Sequence, residues 1–402
     1  MIVPELKPFE ILVLNNIAQI GLRRLPAERY HAHKDAAHPD AILLRSQDLH
    51  EMKIAPCVKA IGRAGAGTNN IPVKAMSERG VPVFNAPGAN ANAVKELVLA
   101  GMLIAARNLA PALEFVRGLN GEDEALAKRV EEGKKQFAGI ELPQHTLGVI
   151  GLGKIGSLVA DAAIHLGMNV LGYDPEITVD AAWSLPAQVK KAHSIDEVLK
   201  ASHFVTLHVP LLPQTRKLVN AKNLELVRAG TILLNFSREG IVDSAAVLQA
   251  LAAHRLKYYV TDFPEGRLAG APGVIALPHL GASTREAEDN CAVMVVDQMR
   301  EYLEHGNVSN AVNFPDMVMP RESPYRVAIV NANVPNMVAQ ISTVIAKAGL
   351  NIHNMLNKSK GEIAYTLVDV DSPATPDLVA QLGNIAGVLA VRYLPLEEAK
   401  PT

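Results

Sequence analysis

The sequence predicts an α/β protein: two doubly wound domains built on parallel sheets, followed by a small C-terminal domain of βαββαβ order. Three observations carry this. Short β-rich apolar runs alternate with stretches long enough for crossover helices. A glycine-rich turn directly follows one of those runs, and from Tyr325 onward strand and helix patterns alternate in the order of a split βαβ unit.

In the first part, Ile11 to Leu14, Ala41 to Leu44, Lys59 to Ile61 and Val81 to Phe84 read as buried strands, with turn residues Gly65, Gly67, Gly80 and Asn85-Ala86-Pro87-Gly88 beside them. Ala93 to Asn108 is apolar on most faces and predicts a helix buried between two bodies. Val116 to Ile140, rich in Glu, Lys and Gly, reads as a solvated helix and loop. A second series of six strands follows: Leu147 to Ile150, Val170 to Tyr173, Phe204 to Leu207, Thr231 to Asn235, Tyr258 to Thr261 and Val274 to Leu277. Ala287 to His305 is helical, and Asn310 to Pro324, with three prolines, reads as a linker. The last domain is expected as strand Tyr325 to Val330, helix Met337 to Ala348, strands Asn351 to Ser359 and Glu362 to Asp369, helix Pro376 to Leu382 and strand Val388 to Tyr393.

Composition narrows the function. The 402 residues are 49% hydrophobic and 20% charged, which suits two to three folded domains with large cores. A net charge of -2 offers no global basic field for nucleic acid or anionic lipid, so the expected partners are small molecules and copies of the chain. Cys57 and Cys291 lack metal or disulfide spacing, and no metal site is expected. Met1 to Glu10 lacks a basic stretch followed by an apolar one, so no signal peptide is expected. Val98 to Ala106 is too short to span a bilayer, and the expected location is the cytoplasm.

The most specific motif is Gly151-Leu152-Gly153-Lys154-Ile155-Gly156, set after a strand and opening a helix with Ile155, Val159, Ala162 and Leu166 on one stripe. Gly151 allows the tight turn, Gly153 lets N–H groups approach a pyrophosphate, and Gly156 lets helix and strand pack closely. Asp174 ends the next strand, where a carboxylate accepts the adenosine ribose hydroxyls and repels a 2′-phosphate, which predicts NAD over NADP. A packing-only glycine turn and a strand-capping Asp174 are the bland alternatives. Arg238 follows the strand ending at Asn235, on the edge where open α/β sheets bind ligands, and its guanidinium could hold a carboxylate bidentately. Alone it reads equally well as a surface ion-pair arginine. Of the 13 histidines, His279 has the setting of a site, a strand end followed by a glycine turn, whereas His31, His33, His38 and His193 lie in polar text and are expected to be solvated.

These motifs, with Gly62 through Ile71, Val83 through Gly88, Asn235 through Asp243 and Pro278 through Thr284, resemble the D-isomer-specific 2-hydroxyacid dehydrogenases in the same order along almost the whole chain. Within that family the chain is similar to members that act on D-3-phosphoglycerate and end in an ACT domain, an amino-acid-sensing module. The resemblance implies two Rossmann-like domains, with residues 1–95 and 285–315 binding substrate, 96–284 binding NAD and 325–402 forming the ACT domain. It implies hydride transfer between the substrate's C2 and NAD, with His279 as general acid/base and Arg238 on the carboxylate and carbonyl. An imidazole of ordinary pKa near 6.5 suits that proton transfer. The family glutamate that pairs with the histidine matches Glu265, although Thr261-Asp262-Phe263-Pro264-Glu265-Gly266 is shorter than the family segment. Gly151, Gly153, Lys154, Ile155, Gly156, Asp174, His208, Pro210, Phe236, Ser237, Asp262 and Gly281 match cofactor positions.

Arg45 and Ser46 match a substrate-phosphate position, and Gly65, Ala66, Gly67 and Asn90 match loops that line the substrate. Asn90-Ala91-Asn92 lacks an arginine common in phosphoglycerate enzymes, and Asn69 and Lys95 also depart, which keeps other short 2-hydroxy acids open. Asn331, Asn333 and Asn351 match the ACT ligand positions. Asn331 replaces a frequent histidine and Asn336 a glycine, so serine sensing and a purely assembly role stand side by side. The resemblance also implies a homodimer or homotetramer. Two other functions stay open: a glyoxylate or hydroxypyruvate reductase, and a non-enzymatic NAD-sensing binding protein.

Overall fold

The computed structural model describes residues 7–396; the outer ends of the expected domains 1–95 and 325–402, and Met1–Leu6 of the segment read for a signal peptide, lie outside the described residues. The chain forms two compact units, Met1–Ala89 with Glu288–Thr402, and Asn90–Ala287.

The first unit opens with five parallel strands, β1 (Phe9–Val13), β2 (Tyr30–His33), β3 (Ala41–Leu44), β4 (Ala60–Arg63) and β5 (Val83–Phe84), in the order β2-β1-β3-β4-β5. All four residues of β3 are buried, as expected of a strand covered on both faces. Strand β2 is absent from the sequence-based expectation. It is an edge strand with only Tyr30 buried, and His31 and His33 are exposed, on Glu10 Oε1 at 3.0 Å and Oε2 at 2.6 Å. Polar text hides such an edge because backbone pairing, not apolar burial, makes the strand.

The second unit holds seven parallel strands, β6 (Thr146–Ile150), β7 (Asn169–Tyr173), β8 (Lys190–Lys191), β9 (Phe204–Leu207), β10 (Thr231–Asn235), β11 (Leu256–Thr261) and β12 (Val274–Ala276), in the order β12-β11-β10-β9-β6-β7-β8. Six were expected; the seventh, β8, is two exposed lysines with no apolar signal. The order reverses between β6 and β9, and the carboxyl ends of strands at such a switch point are where open α/β sheets bind ligands. The apolar helix spans Ala91–Ala106 and packs inside this unit, its Val94, Val98, Met102 and Ala105 in one core with Val159, Ala160 and Ala163 of the Lys154–His165 helix. The stretch read as solvated, Val116 to Ile140, takes in the end of the helix Leu109–Arg117 and the whole of the helix Asp123–Gly133, neither helix with a buried residue.

The C-terminal sheet, again in the first unit, has the antiparallel strands β13 (Tyr325–Ala332), β14 (Ile352–Lys360), β15 (Ile363–Val370) and β16 (Val388–Pro395), ordered β14-β15-β13-β16. Alternate residues serve two cores. Val327, Ile329, Val368 and Val370 meet Ile341, Ile345, Leu378 and Leu382 of the helices Met337–Lys347 and Pro376–Gly383. Ala328, Val330, Tyr365 and Leu367 join Val295, Met299, Tyr302 and Leu303 of the Arg285–His305 helix and the core under the first sheet.

The segment read as a linker is packed instead: Phe314, Met317 and Met319 are buried in that same core. Arg326, fully buried, secures it. Its guanidinium donates to both Asp369 oxygens at 2.6 and 2.9 Å and to the carbonyls of His305, Met319 and Pro320. Among the described residues no single helix is long and apolar enough to cross a membrane.

Candidate active site

All strands of the second unit's sheet run parallel, so the turns after β6, β7, β9, β10 and β11 share one edge. Every cofactor candidate from Gly151 to Asp262 in these turns therefore lies there. Gly151 has φ +91°, and a Cβ on it would press on the His208 carbonyl at 2.7 Å; a Cβ on Gly156 would overlap the Gly151 carbonyl oxygen. The Gly151 N–H donates to Tyr173 O at 2.8 Å and the His208 N–H to Ile150 O at 2.7 Å, closing the turn against its neighbours. Nothing stands within 4 Å of a Cβ placed on Gly153, so its backbone is open to an approaching anion at the start of the Lys154–His165 helix. Lys154 is exposed at that start and Ile155 packs against the core.

Asp174 ties the glycine turn to the end of β7: Oδ2 accepts from Leu152 N at 2.8 Å and Oδ1 from Glu176 N at 3.0 Å. A carboxylate has about four acceptor sites, so capacity remains for ribose hydroxyls. His208 hydrogen-bonds Thr206 Oγ1 through Nε2 at 2.9 Å, while Nδ1 is buried without a partner. Burial pushes this imidazole down to about 3, so it is neutral near pH 7. Pro210 is exposed, and Phe236 is buried against Gly101. These features fit a dinucleotide: an open helix start, an acceptor at the ribose position and orphaned polar atoms on the same edge.

The turn after β10 is built by Asn235. This buried side chain accepts from Ser237 N at 3.1 Å and donates to Arg238 O at 2.9 Å, while Ser237 Oγ donates to Leu207 O at 2.6 Å. The Arg238 backbone is thereby fixed and its exposed guanidinium donates to Ser237 O at 2.6 Å. After β11, buried Asp262 accepts from Gly281 N at 3.0 Å through Oδ2 and from His279 N at 2.9 Å through its carbonyl; Oδ1 has no partner. Burial raises the Asp262 carboxyl, opposed by the Gly281 N–H and by the charges of His279 and Arg238, which both act on it. His279 is exposed, has φ +45°, and lies with its ring 4.9 Å from that of Phe263.

The structure thus brings Arg238, Asp262, His279 and Gly281 together. Glu265 Oε1 accepts from Ser244 Oγ at 2.5 Å, at the start of the Ser244–Ala252 helix. Asn90 stands at the start of the Ala91–Ala106 helix, its carbonyl accepting from Val94 N. Asn235 and Phe263 were missed; nothing in a buried Asn or a loop Phe marks it before the turn is folded.

In the first unit, Arg45 and Ser46 follow β3, and Gly65, Ala66 and Gly67 follow β4, again at carboxyl ends. Gly65 O accepts from Ala86 N at 2.9 Å and Ala66 O from Asn85 Nδ2 at 2.5 Å. In the C-terminal sheet Asn333 Nδ2 donates to Gly361 O at 3.0 Å, and Asn331 is buried with Oδ1 unpartnered. Asn336 adopts φ +70°, so asparagine does hold the left-handed turn here. Asn351 is not brought to these residues. Asn331 is level with Ala364 and Ile352 with Val370, so it lies at the other end of the sheet, roughly 20 Å away at 3.3 Å per residue.

Residues 102–281 match the family model described as D-isomer specific 2-hydroxyacid dehydrogenase, NAD binding domain. A D-3-phosphoglycerate dehydrogenase of Haemophilus influenzae is 33% identical over 85% of this chain and 83% of its own length. One from Methanocaldococcus jannaschii is 38% identical over 65% of this chain, and the match spans about half (48%) of that relative. Among solved structures, a Thermus thermophilus protein matches with TM-score 0.62 at 27% identity, over 76% of this chain and 100% of its own. An NAD+-bound 3-phosphoglycerate dehydrogenase of Entamoeba histolytica matches in fold with TM-score 0.61 at 24% identity, over 77% of this chain and 100% of its own. The family's NAD-binding domain over residues 102–281, together with a 33% identical relative covered over 83% of its length, establishes the family: the protein belongs to the NAD-dependent D-isomer-specific 2-hydroxyacid dehydrogenases.

Proposed function

We propose that this enzyme oxidises D-3-phosphoglycerate to 3-phosphohydroxypyruvate with NAD, the first step toward serine. The observation that carries the chemistry is the arrangement at the ends of the paired strands β10 and β11, where the turn bearing Arg238 lies next to buried Asp262, which holds the backbone N–H groups of His279 and Gly281, on the edge that carries the glycine turn. NAD, held by the Gly151–Gly156 turn and Asp174, would supply the hydride acceptor. His279 takes the proton of the substrate's C2 hydroxyl as the C2 oxygen becomes a carbonyl. Arg238 holds the carboxylate and the C2 oxygen in one planar fork. Asp262 fixes the backbone of His279 and Gly281, which holds the imidazole in position without a step of its own. Arg45 and Ser46, with Gly65, Ala66 and Gly67, would be the residues that take the phosphate.

A second reading, a glyoxylate or hydroxypyruvate reductase, draws on one observation: Arg45 is already engaged with Glu288, a pairing that an unphosphorylated substrate would leave intact. Following NADH absorbance with 3-phosphohydroxypyruvate and hydroxypyruvate in parallel separates the two. Strong preference for the phosphorylated keto acid supports phosphoglycerate, and equal or reversed preference removes it. His279→Ala should lower kcat by about 10²–10⁴-fold; undiminished turnover would remove His279 from the chemistry.

Homo-oligomerisation and a cytoplasmic location are part of the same proposal. Leu113 and Val116 stand 59% and 57% exposed on the Leu109–Arg117 helix, a face that a second copy would cover, and both cysteines are free, as a reducing compartment leaves them. Serine sensing at Asn331 and Asn333 would require Asn351 to come from another copy, since a single chain keeps it at the far end of the sheet.

A further inference from the structure

The loop after β3 is held firmly by its backbone and loosely by its side chain. Asn15, at φ +67°, presents Oδ1 to three successive N–H groups, those of Arg45, Ser46 and Gln47, at 3.4, 3.0 and 2.7 Å. From the other side Asn70 Nδ2 donates to the carbonyls of Arg45 at 3.3 Å and Gln47 at 2.7 Å, and Arg63 Nε donates to Arg45 O at 3.1 Å. The Arg45 guanidinium makes a different kind of contact. Its Nη1 lies 2.8 Å from Glu288 Oε1, with the two side chains 35% and 43% exposed.

Glu288 sits in the first turn of the Arg285–His305 helix, where the helix dipole favours a carboxylate. One turn along, the buried Cys291 thiol is raised by burial, lowered by Arg45 and Arg63 and raised by Glu288, so all three charges converge on one spot. The Glu288 backbone is fixed by its helix and the Arg45 backbone by its loop, so the contact between the two half-exposed side chains is the part open to change.

We propose that Glu288 is a charge latch on Arg45, opened by a doubly charged anion and left closed by a neutral group, and that it tempers the affinity of this site for phosphorylated substrates. The proposal rests on the reading that Arg45 receives the substrate phosphate. An exposed single-contact pair is weak, whereas a phosphate dianion offers two charges and a bidentate fit to the guanidinium. Phosphate therefore displaces the carboxylate, against the cost of parting the pair and the repulsion of Glu288 nearby. A hydroxymethyl group carries no charge, leaves the pair intact and is indifferent to it.

The test compares wild type, Glu288→Gln, Arg45→Ala and the double variant in the NADH assay. In Glu288→Gln the KM for 3-phosphohydroxypyruvate should fall by about three- to tenfold with kcat within about twofold, and the KM for hydroxypyruvate should not move. The fall should vanish when Arg45→Ala is the background. If wild type prefers the phosphorylated keto acid but Glu288→Gln leaves its KM unchanged or higher, the latch is overturned and the substrate reading stands. If wild type takes both keto acids equally, the substrate reading fails, and inorganic phosphate as a competitive inhibitor decides the latch: tighter inhibition of Glu288→Gln sustains it, equal inhibition sinks it.

Discussion

Two arginine–carboxylate pairs in one unit stand at opposite extremes. Arg326 and Asp369 are fully buried, doubly bonded to each other, with the remaining guanidinium donors on three backbone carbonyls. Arg45 and Glu288 share one contact and keep more than a third of their side chains in water. The buried pair has no alternative partner and fixes the C-terminal sheet to the Arg285–His305 helix. The exposed pair costs little to part, and so it is the one a ligand can use. Burial decides whether the same chemistry acts as a fastener or as a contact open to exchange.

The largest effect should come from breaking the fastener. Asp369→Asn leaves a buried guanidinium uncompensated and should cost about 3–5 kcal/mol, read from the denaturant midpoint; a loss under 1 kcal/mol would place the two pairs in the same class. His208, half-buried with its Nδ1 shut off from water, extends the contrast to the other unit. The folded His208 ring resists protonation down to about 3, whereas the unfolded ring takes up its proton near 6.5. Stability from this group is therefore complete above pH 6.5 and is lost as pH falls toward 3, by as much as about 1.4 kcal/mol per pH unit. Denaturant titrations of wild type and His208→Gln across that window should diverge in slope, and parallel curves would contradict the burial.

At the exposed pair the effects should appear in binding and not in stability. Arg45→Ala is expected to raise the KM for the phosphorylated substrate about 10–100-fold while the denaturant midpoint stays within about 0.5 kcal/mol. Smaller still is the contribution of the backbone cradle. Asn15→Gly, which suits φ +67° but lacks the acceptor, should raise that KM about threefold, and Asn15→Asp, which keeps the oxygen, should not. A Gly variant indistinguishable from wild type would show that the loop holds its shape without Asn15.

Strands β3, β6, β9 and β10 were legible because fully buried parallel strands leave short continuous apolar runs. Strands β2 and β8 were not, since one carries a single buried residue and the other none. The geometry of the glycine turn and of Asp174 could be read directly because it is local, a turn, a helix start and the end of the next strand. Glu265 illustrates the limit. The resemblance set it beside a histidine, but only the folded chain gives it Ser244 as a hydrogen-bond partner.

By itself the sequence determined the α/β alternation, the βαββαβ ending and the dinucleotide turn, because periodicity and glycine sterics act between neighbours in the chain. Tertiary structure alone decided that the Pro-rich segment is core and that Asn235 sets the arginine turn. It also decided that Asn351 stands apart from Asn331 and that Arg45 meets a glutamate 243 positions away. Such pairings are set by how distant elements are packed, and no local pattern of side chains encodes which of them will meet.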